Sequence, residues 1–220
     1  APSHELGRRI FAEQLPIPNP DQQLPYHTHR ISRDVQIWIT EGRDFRSPNE
    51  MPDSGAKTLW GKKQYDWLTS TLLASKARHC VVINSTPMIG PDYRSKSDNH
   101  VNEEGFRSEG RKFLEFLAAN KLQRTVTLIC GDRHWPYHSV SPNGCHEICC
   151  GTATEGNEVV NPPRPGEKGS TDPEGLIDQR WTRAPTASFV ELHNHNTRGN
   201  LAIRILSSKG KELYRVERQG

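Results

Sequence analysis

The run Thr127-Leu-Ile-Cys-Gly-Asp-Arg-His-Trp-Pro-Tyr-His138 carries the densest set of side chains able to do chemistry. Val126 to Cys130 has the length and branching of a buried strand, and Gly131 ends it. Lacking a Cβ, Gly131 permits a tight turn, after which Asp132 and His134, two residues apart, can face one point. Such a pair suits either a metal site or an acid/base site, and the metal reading is the stronger. Carboxylate oxygens of Asp132 fit a hard cation, and the imidazole of His134 fits a transition metal. His138 lies four residues further on, but Pro136 argues against a helix that would bring it onto the same face. It is read as a residue near or contacting a substrate. Asp98 and His100 come from a second polar stretch. Arg43 and Arg46, from a third, have the forked donors that clamp phosphate oxygens.

These stretches can meet only if the intervening elements aim them together. Asp34 to Thr40 alternates, with Val35, Ile37 and Ile39 on one face and Trp38 on the other, which predicts a strand. Gly61 to Lys76 is helical, with Gln64, Leu68 and Leu72 along one line. Cys80 to Asn84 is a second strand and Arg107 to Ala119 a second helix, with Phe113, Leu114 and Leu117 as its stripe and Asn120 at its end. Thr125 to Cys130 is the third strand. Strand–helix–strand–helix–strand with short apolar strands implies a parallel βαβαβ core covered on both faces, since such crossovers are right-handed. The loops Glu41–Asn49, Ser85–Asn102 and Gly131–His138 then all leave carboxyl ends of strands, the edge where open α/β folds bind ligands.

The rest of the chain is less regular. Residues 1–33 are read as an irregular segment, 34–150 as the α/β part and 151–186 as a loop-rich connection. Residues 187–220 are read as terminal antiparallel strands of the same domain, lying beside the parallel part. Ser207 to Gly210 makes a hairpin of the last two. The 220 residues include 17 glycines, 16 prolines and only 33% hydrophobic residues, which implies a modest core and long loops. A net charge of +3 without a basic block gives no nucleic-acid-binding signature. No apolar stretch approaches a membrane span of ~20 residues. The five cysteines are odd in number, and Cys80 and Cys130 sit in strand runs where a buried thiol is expected. Cys145, His146, Cys149 and Cys150 lack zinc spacing. No signal peptide is visible, and the chain reads as a piece of something longer.

Taken together, the loops resemble the carboxy-terminal half of the alkaline phosphatase D-like metallophosphatases. The resemblance runs from about Asp34 to Val216. It rests on Trp38-Ile-Thr-Glu-Gly-Arg-Asp-Phe-Arg-Ser-Pro-Asn49, Lys57-Thr-Leu-Trp-Gly-Lys-Lys-Gln64, Ser85-Thr-Pro-Met-Ile-Gly-Pro91, Asp98-Asn-His-Val-Asn102 with Gly105-Phe106, and Cys130-Gly-Asp-Arg-His-Trp-Pro-Tyr-His138. It implies a partial calcineurin-like α/β fold, secretion or periplasmic export, and hydrolysis of phosphate mono- or diesters with calcium and iron. It also implies that an amino-terminal half of the domain, with further ligands, is a missing partner. On that footing Asp132, His134 and Asp98 are candidate metal ligands. His134, Arg43 and His100 are candidate catalytic residues, and Arg43, Arg46 and His138 candidate substrate contacts. Two other readings stand beside it: a non-catalytic half-fold serving as a binding or structural module, and a hydrolase using Asp132 and His134 without metal.

Overall fold

The structure, a computed structural model, describes residues 2–14, 24–154, 156, 161–183, 186–195 and 199–219. Its centre is the predicted crossover unit. Strand β2 (Val35–Ile39) leads through helix α2 (Gly61–Ala74) to β3 (His79–Asn84). Helix α3 (Arg107–Ala119) and a short 3-10 turn then lead to β4 (Val126–Cys130). The three strands pair in parallel, β2 with β3 and β3 with β4.

Side-chain alternation divides the sheet into two apolar faces. Trp38, Cys80, Val82, Val126 and Leu128 point to the helices, where Leu68, Leu72, Phe113 and Leu117 meet them. Trp60 lies edge-on to Phe113 at 5.1 Å and 90°, an arrangement contributing roughly 0.5–1.5 kcal/mol beyond burial. Val35, Val81, Ile129 and Ile148 point the other way, onto Leu201, Ile203 and Ile205 of a second sheet. That sheet is β8 (Ser188–His195), β9 (Asn200–Ser207) and β10 (Glu212–Gln219), antiparallel in the order β10-β9-β8. It packs on the face of the parallel strands rather than beside them, because its own alternation leaves one apolar face that must be covered.

The first sheet is wider than the crossover unit. Its order is β1-β2-β3-β4-β6-β5-β7, with β1 (His27–Arg30), β5 (Pro136–Val140), β6 (His146–Cys150) and β7 (Asp178–Thr182) added. After β4 the chain crosses over the end of the sheet, returns on β5 and doubles back as β6, parallel to β4.

Residues 1–33 are not irregular throughout: helix α1 (Pro2–Gln14) and β1 lie within them, while 15–23 fall outside the described residues. The 151–186 connection holds β7, and 155, 157–160 and 184–185 fall outside the described residues. The polar loop after β4 stops at Trp135, since Pro136 to His138 already belong to β5. β1 is an edge strand of the sequence His-Thr-His-Arg, and α1 exposes Leu6, Ile10 and Phe11 by nearly half. Neither buries enough apolar surface to leave a periodic signal. Among the described residues no helix is long and apolar enough to cross a membrane.

Candidate active site at the sheet rim

The ends of β2, β3 and β4 deliver three loops to one rim, and these loops touch. A Cβ on Gly42 would stand 2.5 Å from Ser85 Oγ and 3.0 Å from Leu59 Cδ2, so the first loop lies against the second and a side chain there would have to turn the Ser85 hydroxyl aside. On the other side, a Cβ on Gly131 would stand 3.7 Å from the Ser85 carbonyl oxygen. Buried hydrogen bonds tie the strand ends. Thr40 Oγ1 donates to Asn84 Oδ1 at 2.8 Å, Trp60 Nε1 donates to the same oxygen at 3.2 Å, and Asn84 Nδ2 donates to Thr86 O at 2.7 Å.

In the first loop, Glu41 is a turn former. Its carboxylate accepts the backbone N–H groups of Arg43 and Asp44, each at 2.7 Å. Gln64 of α2 grips its backbone from both sides. Arg43 is left exposed. Arg46 is half-buried: its Nη2 donates to Asn49 Oδ1 and to Asp98 O, and its guanidinium lies 5.0 Å from the Phe106 ring centroid. Burial pushes the Arg46 pKa down, helped by the charge of Arg43 and opposed by Asp98 and Glu41. Arg43, Arg46 and Asp98 are thus brought together.

The third loop turns at Asp132, whose φ of 64° is rare for a residue with a side chain. Arg133 N–H donates to Gly131 O at 2.7 Å, closing a three-residue turn around it. Asp132 stays 35% exposed and His134 half-buried. Between them Arg133 points inward, 2% exposed, with its guanidinium bonded to the carboxylates of Asp132 and of fully buried Asp92.

Two predicted residues are not at this rim. His100 is 1% exposed, with Nε2 hydrogen-bonded to Glu109 at 3.0 Å and its ring 4.7 Å from Trp60. Glu109 also accepts from Thr58 Oγ1 and from the backbone N–H of Leu59 and Trp60. Burial alone would push its carboxyl up, but the His100 hydrogen bond and charge, with Thr58 and Leu59, outweigh burial and hold it low. His100 here anchors the core between α2 and α3, bonded to Glu109 and packed against Trp60. His138 lies in β5, fully buried on the face opposite Tyr137. Its Nδ1 hydrogen-bonds Tyr214 Oη at 2.9 Å and its Nε2 hydrogen-bonds His146 Nδ1 at 3.0 Å. It faces the second sheet, because strand alternation turns it away from the loop that precedes it.

Residues not singled out from sequence hold the loops in place. Glu147, buried in β6, accepts the N–H groups of Met88, Ile89 and Gly90 and the hydroxyl of Tyr137. Burial raises its pKa despite those donors. The Asp92–Arg133 pair bridges loops 41 positions apart. The one local signal for it is an arginine set between two residues that bear chemistry.

A metal fits this rim incompletely. Asp132 and His134 are two donors, with one Asp132 oxygen engaged by Arg133. Among the described residues no group of three His, Cys, Asp or Glu is arranged to hold an ion, whereas a catalytic zinc site takes three protein ligands.

The family model of PhoD-like phosphatases matches residues 2–209. A solved structure of PhoD is similar at 16% identity and a TM-score of 0.69, covering 97% of this chain and 45% of that one. A crystal structure of a dimetal phosphatase from Danio rerio is similar at 10% identity and a TM-score of 0.52, covering 96% of this chain and 67% of that one. These likenesses show the fold, and the chain spans less than half the length of the PhoD chain it matches. No curated protein matches the sequence.

Proposed function

We propose that this chain, which belongs to the PhoD-like phosphatase family, supplies the carboxy-terminal part of a metal-dependent phosphoric ester hydrolase. The observation that carries the reading is the contact of three loops at the carboxyl ends of parallel strands, Gly42 against Ser85 against Gly131. Open α/β sheets bind ligands at such an edge. Asp132, His134 and Asp98 are the candidate metal ligands from this chain, with Asp98 standing beside Arg46 at the rim. Arg43 and Arg46 are the candidate clamps for phosphate oxygens, where forked donors match the anion's geometry. The remaining ligands come from outside the described residues. A bound metal pair would supply an activated water and balance charge on phosphorus. Calcium with iron, and a secreted or periplasmic setting, go with this reading.

The test is turnover of a chromogenic phosphate monoester and diester by the full-length protein, with and without chelator, alongside metal analysis. His134→Ala is expected to remove one metal equivalent and nearly all turnover. Unchanged metal content and rate in that variant refute the assignment. A non-catalytic module is the second reading, favoured by the two-donor rim. Its signature is a full-length protein that retains no metal and turns over neither ester.

A further inference from the structure

We infer that Arg133 and Asp92 form a positioning device that sets the Asp132 carboxylate, with one oxygen held inside and the other presented at the rim. The inference rests on the phosphoesterase reading for its functional consequence, but its geometry stands alone. Asp132 sits in a left-handed turn, φ 64°, that a residue with a Cβ adopts at some cost and keeps only when its surroundings hold it. Three contacts do the holding. The turn is closed by Arg133 N–H on Gly131 O at 2.7 Å. The Arg133 guanidinium then reaches back to Asp132 Oδ2, and the same guanidinium is fixed to Asp92 Oδ2.

Asp92 is itself immobilised. Its Oδ2 also accepts from Asn99 Nδ2 at 2.7 Å and its Oδ1 from the backbone N–H of Tyr93 at 2.7 Å. Its own N–H donates to Thr171 Oγ1 at 3.0 Å. With Asp92 0% and Arg133 2% exposed, the pair is shielded from water and from salt. A fork between two carboxylates has a defined geometry that a lysine ammonium lacks. Asp132 Oδ1 accepts no hydrogen bond among the described residues. With a third of the side chain exposed, that oxygen is the free one. The arrangement matches groups that orient a ligand's oxygen from behind, whose loss typically lowers metal affinity or activity by about 10–100-fold.

The experiment uses the full-length protein carrying Asp92→Asn or Arg133→Lys, each retaining the volume of the original side chain. Ca2+ and Mn2+ are titrated separately into the metal-stripped protein, kcat and KM are measured with a chromogenic phosphate ester, and the Asp92→Asn variant is crystallised. The expected result is metal binding weakened by about 10–100-fold and a fall in kcat with KM unchanged. In the crystal, Asp132 leaves its position. Arg133→Lys, which keeps the charge and loses the fork, is expected to fall between wild type and Asp92→Asn. If Asp92→Asn does not fold, Arg133→Lys is crystallised in its place. An Asp132 that keeps its φ and place in the crystallised variant overturns the inference, whatever the activity. So do wild-type metal affinity and kcat in both variants. A wild-type protein that binds no metal and has no turnover, with Asp132 displaced in the variant, instead sinks the phosphoesterase reading and leaves the positioning geometry standing.

Discussion

Acid should loosen the contact between the two sheets, and His138 is the group that sets how much. Its ring is fully buried and stacks on His146 at 5.2 Å, while Tyr214 from β10 closes the other side. Arg180 and Asp178 of β7 and Arg218 of β10 also face it. Burial, then the charges of Arg180 and Arg218, lower its pKa from 6.5 to about 4, with Asp178 opposing. His146 is lowered to about 3 by burial, Arg218 and His138. Below the ordinary value of 6.5 the unfolded imidazole takes up a proton that the folded one refuses until about pH 4. Stability is therefore present near neutrality and lost as pH falls through that window. At about 1.36 kcal/mol per unit, His138 alone removes roughly 3 kcal/mol when fully titrated, and about 2 kcal/mol between about pH 7.5 and about pH 5. His146 adds in the same direction, but the two rings share a hydrogen bond, so their contributions belong to the pair and do not sum. The assay is urea unfolding at those two pH values for wild type and for His138→Phe/His146→Phe. The wild type should lose at least about 2 kcal/mol more than the double variant on acidification. Equal losses in the two proteins would refute the reasoning, because carboxylates elsewhere would then carry the whole pH dependence.

Two further outcomes follow from buried polar groups. His100→Ala strips Glu109 of one partner and leaves a gap against Trp60, and should lower unfolding stability by about 2–4 kcal/mol. Unaltered stability with a selective fall in turnover would return His100 to the active site. Glu147→Gln leaves the Met88, Ile89 and Gly90 amides sharing one carbonyl oxygen. It should cost about 1–3 kcal/mol and speed hydrogen exchange at those three amides, and unchanged exchange would show that the loop is held by other contacts.

The helical faces of α2 and α3 were legible because burial repeats along them: Gln64, Leu68 and Leu72 are buried on α2, and Phe113 and Leu117 join Glu109 and Gly110 on α3, with Leu114 half-buried. The same holds for β2, where Trp38 and Val35 do go to opposite cores. The candidate site was legible only in its main-chain part. That three loops share a rim follows from crossover handedness, but which side chains of those loops reach it does not. Asp132 and His134 flank Arg133, which is turned inward, and His138 belongs to the strand that follows the loop, where alternation turns it to the second sheet.

What the linear chain determined by itself is the set of elements whose pattern of burial repeats within a few residues, and with it the parallel core and its functional edge. Tertiary structure alone decided the partners of buried charge. Glu147 finds its backbone donors 57 to 59 positions away, and Arg133 its fully buried carboxylate 41 away. The reason is physical. Periodicity is a local consequence of helix and strand geometry, whereas a buried carboxylate or imidazole must be satisfied by whatever the fold brings within hydrogen-bonding reach, regardless of its distance along the chain.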